Sequence, residues 1–215
     1  MRVARTSKSA NANVYSVHPG VAAVQDWVAG LKTKTGRSLP EWVRLVKTVG
    51  PPTEKARREW LKKEHKLGTN AAWWIAERAE GKGAEDSDPQ AYLKAAAEYV
   101  EQMYAGGKAG LRPIHDRVIQ VARKLSKDVR ICPCQTIVPL YRNHVFAEIK
   151  PSTRTRIDLG FALAKAKGRM PKRLIDTGGA AKKDRVTHRI PLAAVDDIDD
   201  EVRHWLKVAY DLDAQ

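Results

Sequence analysis

The sequence predicts an α+β protein in which an N-terminal helical bundle is followed by an antiparallel sheet covered by helices on one face. The first observation is a change of period: apolar residues recur every three to four positions up to about Asp128 and at every second position after it. The second is a succession of six strand-like segments joined by short links. The third is that no helical segment separates these strands, which argues against the crossovers of a parallel doubly wound sheet.

A first module, 18–81, contains four predicted helices. Each starts at a capping or initiating signal, namely His18-Pro19-Gly20, Ser38, Thr53, and Thr69 or Asn70. The third and fourth have the lengths of a helix-turn-helix, but the fourth opens on Ala71-Ala72-Trp73-Trp74, which offers few polar groups to base edges. An ordinary helical hairpin is therefore favoured. Residues 1–17 show no apolar period and predict a mobile basic arm.

A second module, 88–213, follows a polar loop that is rich in Gly, Asp and Ser. One helix starts at Asp88-Pro89, and the next is predicted over Lys108–Lys127. The six strands are predicted over Val129–Cys134, Thr136–Tyr141, His144–Ile149, Thr153–Phe161, Arg173–Thr177 and Arg185–Leu192. A last helix is predicted over Asp199–Tyr210, where the acidic first turn suits the helix dipole.

The charge of the chain points to its partners. Its 215 residues carry a formal net charge of +14, and 43% of them are hydrophobic, which is enough for a core. Strong positive charge favours a polyanion, most commonly nucleic acid. No stretch approaches the roughly 18 apolar residues of a spanning helix, and no secretory signal is visible, which predicts a cytoplasmic protein without a membrane partner. No nucleophile elbow or His-Glu-x-x-His motif occurs, so the sequence indicates no enzyme class and no cofactor.

Basic residues are concentrated between 150 and 189, where twelve Lys or Arg oppose three Asp. Strand alternation predicts one basic sheet face, formed by Lys150, Arg154, Arg156, Arg185 and Arg189, with the loop lysines Lys182 and Lys183 beside it. Phe146 is expected on the same face, where it would be available for base stacking. We expect these cations to contact phosphates of nucleic acid or another polyanion without reading base sequence. The alternative is a solvated face in which the arginines pair with Glu148 and Asp158.

Two further functions stay open at this point. Residues 196–213 reverse the charge, with seven acidic side chains against Arg203 and Lys207. The acidic C-terminal helix of one copy could therefore meet the basic face of another in a homo-oligomer, as part of a protein-interaction or small-anion module. The other open function is a metal-dependent enzyme.

Two residue sets bear on metal chemistry. The weak ligand candidates are Cys132, Cys134, His144 and His188. Cys-Pro-Cys departs from the usual Cys-x2-Cys pair of zinc sites, so buried thiols are favoured and no metal is predicted. The set Asp128, Glu148 and Lys150 follows the acidic-x-Lys arrangement of magnesium-dependent nucleases, which is common by chance in a highly charged chain.

Several segments resemble two bacterial families. In the first module, His18–Val21, Thr35–Trp42 and Glu64–Asn70 are similar to domain of unknown function 4287. In the second, the similar segments are Cys132–Ile137, Ile149–Pro151 and Trp205–Tyr210, and the family is domain of unknown function 5655. The resemblance implies a two-module chain and carries over no activity and no catalytic residue. The second family resembles modules that accompany nuclease-like domains, which links the chain to nucleic acid by analogy only.

Overall fold

The computed structural model describes residues 14–214, and within them it confirms the α+β class with seven α-helices and one six-stranded sheet. The helices are α1 (Pro19–Thr35), α2 (Leu39–Val49), α3 (Glu54–Lys63), α4 (Thr69–Ala79), α5 (Pro89–Met103), α6 (Arg112–Leu125) and α7 (Asp200–Leu212). The strands are β1 (Arg130–Ile131), β2 (Val138–Tyr141), β3 (Val145–Lys150), β4 (Ile157–Phe161), β5 (Ile175–Asp176) and β6 (His188–Leu192).

The described chain divides into two compact units. One is 18–94, and the other combines 95–214 with 14–17, so the boundary falls inside α5. Residues 1–13 of the predicted basic arm lie outside the described residues. We call 18–94 the helical unit and the other the sheet unit. Residues 14–17 belong to the sheet unit, since Ser16 N donates to Ile131 O at 2.8 Å and Tyr15 packs against the core of that unit.

Three of the four helices of the helical unit start where the capping signals predict, but α4 starts at Thr69 with Gly68 as its N-cap, so neither Thr69 nor Asn70 caps it. His18 Nδ1 accepts a hydrogen bond from Gly20 N at 2.9 Å, and Ser38 forms a capping box with Glu41 at the start of α2. These local bonds satisfy backbone N–H groups that a helix leaves unpaired at its N-terminus. The apolar stripes then form one core, in which Trp42, Val46, Leu61, Ala72 and Ile75 are buried.

The start of α6 differs from the prediction. It was expected at Lys108, but residues Gly106–Leu111 form a 3-10 stretch and α6 begins only at Arg112. Gly106 has a φ of 57°, and two more glycines follow it before Arg112. Glycine is a poor helix former, so this stretch does not continue as an α-helix and Lys108 is presented on a tight turn.

The sheet is antiparallel throughout, in the order β1-β2-β3-β4-β6-β5. On one face, register pairs apolar neighbours such as Ile149 with Leu159, and Leu159 with Ile190. This face shares one core with the apolar sides of α6 and α7. The other face carries the polar side chains of the alternating pattern, and we call it the outer face. Every strand except β3 is shorter than predicted, so that residues at the predicted starts of β4 and β6 lie in loops.

The prediction that Phe146 is available for stacking was wrong. Leu140 pairs with Ala147 and Tyr141 with Val145, so a bulge leaves Phe146 without a partner on β2. An extra residue of this kind turns its side chain away from the strict alternation of the strand. Phe146 is fully buried, and its ring packs edge-on against Tyr210 of α7 with centroids 5.5 Å apart.

Candidate anion-binding surface

The outer face contains a shared carboxylate. Asp158 of β4 accepts a hydrogen bond from Arg189 Nη1 at 2.7 Å, and its Oδ1 lies 3.1 Å from Arg156 Nε. Arg189 on β6 pairs with Gly160, which lies two residues along β4 from Asp158 and on the same face. Two of the predicted anion-binding arginines are thus paired with one carboxylate, as in the alternative that the sequence left open.

Arg185 lines an outer-face concavity together with Lys150 and Arg189, but it does so from outside the predicted strand. β6 begins at His188, so Arg185 precedes the strand and is free of its alternation. Its Nε donates to Val145 O at 2.7 Å, and its Nη2 forms an ion pair with Asp213 at the end of α7. The lysines Lys182 and Lys183 lie in and just after a 3-10 turn and are exposed, outside the sheet face.

Lys150 and Arg154 differ from Arg156, Arg185 and Arg189, which pair with carboxylates. Neither forms an ion pair with a carboxylate among residues 14–214, although the Lys150 charge acts on the nearby Glu148. Arg154 was predicted on a strand with Arg156, but β4 starts at Ile157 and Arg154 is an exposed loop residue. Lys150 ends β3 opposite Asp158, with its side chain exposed.

These two residues line a groove of about 500 Å³ at the border of the outer face, called the margin groove. A third cation, Lys108, also lines this groove and was not among the predicted anion-binding residues. Its remaining polar lining is uncharged and consists of the side chains of Gln102, Gln135, Thr136 and Ser152. No acidic and no aromatic side chain belongs to the lining that the described chain provides.

Local packing fixes two of the three cations. Lys108 Nζ donates to Pro151 O at 2.6 Å, which ties the 3-10 stretch to the segment after β3. The Arg154 side chain lies over Gly107, where a Cβ would stand 3.2 Å from Arg154 Cδ. The glycines around Lys108 were the sequence signal for this turn, but they also fit a simple helix break.

A second concavity of about 500 Å³, the outer groove, lies on the sheet face and shares Lys150 and Ser152 with the margin groove. Its charges are mixed, because Glu148, Asp158 and Asp184 line it together with basic residues. Burial raises the pKa of Glu148, while the Lys150 charge acts in the opposite direction. The outer groove therefore suits an anion less well than the margin groove does.

The structure does not bring the weak metal candidates together. Cys132 Sγ is buried against Val17 O at 3.7 Å, His144 Nδ1 lies 3.2 Å from Asp213, and His188 Nδ1 lies 2.9 Å from Thr187 Oγ1. Burial raises the pKa of the Cys132 thiol to about 12, whereas zinc binds the thiolate. No group of three or more His, Cys, Asp or Glu side chains that could hold a metal ion occurs within residues 14–214.

The nuclease-like set is also separated. Asp128 accepts a hydrogen bond from Tyr210 Oη at 2.6 Å and does not line the groove that Glu148 and Lys150 share. The acidic C-terminal segment is largely paired inside the chain, through Arg173–Asp199, Arg173–Glu201, Arg203–Asp200, Lys207–Asp211 and Arg185–Asp213. Self-association through this segment stays a prediction.

Comparison with known families confirms the two-module resemblance. A family model described as Domain of unknown function (DUF4287) matches residues 24–81, and one described as Domain of unknown function (DUF5655) matches residues 100–213. No curated protein and no solved structure is detectably similar to the chain. Within the described residues, no helix is both long and apolar enough to cross a membrane.

Proposed function

We propose that this chain, which belongs to the family described as Domain of unknown function (DUF5655), binds the phosphate backbone of nucleic acid through the margin groove. One observation carries the proposal: Lys108, Lys150 and Arg154 converge on a groove that no acidic side chain of residues 14–214 lines. Cations that face one another without a counter-charge repel, and a phosphate between them removes that cost. Amide and hydroxyl groups of the same groove supply neutral hydrogen-bond donors.

The chemistry of the three cations suits phosphate oxygens. A lysine acts as a compact point charge, and an arginine can donate two parallel hydrogen bonds to one phosphate. Arg156, Arg185 and Arg189 contribute less, because each already pairs with a carboxylate. The proposal therefore moves the main contact from the sheet face to its border.

The groove favours backbone contact over base contact. Base stacking needs an exposed ring, and Phe146 is buried. Neither groove has an aromatic side chain among its described lining residues. We therefore expect similar affinity for different sequences and no strong preference for unpaired bases.

A salt series tests this function. Binding of labelled single-stranded DNA, duplex DNA and RNA is measured for the wild type and for Lys150→Ala/Arg154→Ala. Each lost contact to a single strand reduces the magnitude of the slope of log K against log salt by about 0.7. The slope of the double variant should therefore be smaller in magnitude by about 1.4. It should weaken all three nucleic acids to a similar degree, because no base is read.

The matched control is Arg123→Ala/Lys124→Ala, which removes the same two residue types from exposed positions of α6 that line neither groove. Its slope should stay within experimental error of the wild type. Equal losses in the two double variants would mean that only net charge matters, and the margin groove would then not be the site. Absence of binding by the wild type at about 50 mM salt would overturn the nucleic-acid function itself.

A further inference from the structure

A separate cleft runs beside α7 and is unrelated to the margin groove. Two adjoining cavities of about 300 Å³ and 390 Å³ share Lys165 and Leu212 in their linings. We call their sum the α7 cleft. Each of the two cavities is close to the lower end of the volume range of small-molecule sites.

The floor of the α7 cleft is apolar. From α7 it takes Trp205, Val208, Ala209 and Leu212. The segment after β4 faces them with small side chains, Ala162, Ala164 and Ala166, which leave the cleft open. A straight apolar chain would cover these surfaces and remove them from water.

The rim of the cleft is basic. The alanines alternate in sequence with Lys165 and Lys167, and Lys183 approaches from the loop before β6. All three lysines are exposed, and none has an ion-pair partner among the residues that the structure describes. Such a rim suits an anionic group whose apolar part lies on the floor.

One end of the cleft is closed by a buried carboxylate. Asp213 is 2% exposed in its side chain and binds both Arg185 and His144, the latter through its backbone N at 2.8 Å and its Nδ1 at 3.2 Å. The Asp213 carboxylate is therefore already neutralised by Arg185. The other carboxylate that lines the cleft is Asp184, and three lysines outnumber it. The His144 ring is 67% exposed beside them, which adds a hydrogen-bonding group at the same end.

We propose that the α7 cleft binds a small anionic amphiphile, a carboxylate on a short unbranched apolar chain. The carboxylate lies between Lys165 and Lys183, and the chain extends over Leu212 and Val208 toward Trp205. This ligand differs from the nucleic acid proposed above, and the two sites share no lining residue.

Titration with octanoate tests the proposal. Trp205 is the last of six tryptophans, and the other five lie in residues 27–74. Its indole N–H signal, assigned with Trp205→Phe, is followed by NMR. Octanoate should shift this signal saturably with a dissociation constant on the order of millimolar. Hexanoate should bind about tenfold more weakly, since two fewer methylenes are buried, and acetate should not saturate.

The charge is tested with octanamide and a lysine variant. Octanamide keeps the chain and lacks the charge, so it should bind about tenfold more weakly than octanoate. Lys165→Ala/Lys183→Ala should weaken octanoate to that level and leave octanamide unchanged. Lys150→Ala/Arg154→Ala removes cations at the margin groove and should leave octanoate binding intact.

Each outcome decides the proposal. Equal affinities for hexanoate and octanoate would show binding of an anion without the apolar floor and would overturn it. Equal octanoate affinity in the wild type and in Lys165→Ala/Lys183→Ala would do so as well. Because the nucleic-acid test uses other residues and another ligand, either proposal can fail without the other.

Discussion

Arg189 and Asp158 form an ion pair between neighbouring strands of the sheet, with Nη1 2.7 Å from Oδ1. Asp158 also pairs with Arg156, so one carboxylate takes up two arginines that strand alternation assigns to an anion-binding face. This pairing leaves Lys150 and Arg154 as the cations of the predicted set that can meet a phosphate at the margin groove without first leaving a carboxylate.

Asp158→Asn should strengthen nucleic-acid binding. The change releases two arginines and removes one negative charge from the outer groove, so the slope of log K against log salt should steepen by up to about 1.4 for a single strand. The ion pairs are partly exposed, and their loss should lower the free energy of unfolding by only about 1 kcal/mol. Fluorescence anisotropy and thermal unfolding measure the two effects. Asp196→Asn, at an exposed position, controls for net charge, and an equal gain in both variants would contradict the role of Asp158.

Phe146→Ala should unfold the sheet unit more easily without a specific effect on binding. The ring is fully buried against Tyr210, and its truncation should cost about 3 to 5 kcal/mol in the free energy of unfolding. Phe146→Leu nearly preserves the volume and should cost less than about 1.5 kcal/mol. Chemical denaturation gives both values. If Phe146→Leu kept its stability and lost nucleic-acid affinity, Phe146 would have to contact the ligand after all.

Local signals predicted local structure well. Caps at His18 and Ser38 depend on residues two or three positions away, and such contacts can be read from sequence. The six strands were predicted for the same reason, since alternation is a property of each segment. The class, the number of strands and their antiparallel arrangement could therefore be derived before the structure.

Long-range partners could not be predicted in this way. Alternation assigns Phe146 to the outer face, but the bulge opposite Leu140 and Tyr141 reverses it. Arg185 pairs with Asp213, 28 residues later in the chain, and no short-range pattern contains that contact. Lys108 joins the margin groove through Pro151, 43 residues away. The candidate site could thus be predicted only in part. Which basic residues remain unpaired depends on which others form ion pairs with carboxylates that are distant in the sequence.

Gly160→Ala should destabilise the sheet unit. A Cβ on Gly160 would lie 2.6 Å from Val186 Cγ1 and 3.0 Å from Glu148 Cγ, so a neighbouring side chain on the outer face must move. We expect a loss of about 1 to 3 kcal/mol in the free energy of unfolding. Gly110→Ala is the matched control, because its Cβ meets no atom within 4 Å, and it should be neutral or stabilising by up to about 1 kcal/mol. If both variants changed the free energy of urea unfolding equally, the side chains around Gly160 would be able to move aside without loss of stability.

The stability of the protein should fall below pH 6.5 because of His115. This residue is 1% exposed, its Nδ1 lies 3.1 Å from Tyr104 Oη, and burial lowers its pKa to about 3, with the nearby Arg112 charge acting in the same direction. An unfolded histidine has a pKa of about 6.5, so between that value and about pH 3 the unfolded chain takes up a proton that the folded chain does not. The free energy of unfolding should therefore be unaffected by this group above about pH 6.5. Below it, the free energy should decrease by up to about 1.4 kcal/mol for each pH unit.

The His115 effect can be separated from that of the carboxylates by a comparison of slopes. Urea unfolding between about pH 7 and pH 5 is measured for the wild type, for His115→Gln and for His204→Gln. The glutamine at 115 can still accept from Tyr104 but cannot take up a proton, so its stability should depend on pH less steeply by about one proton. His204 is exposed, and its variant controls for the loss of an imidazole. Parallel curves for the wild type and His115→Gln would mean that His115 is not held neutral by the fold, because the slope depends on proton uptake and not on the structural cost of the substitution.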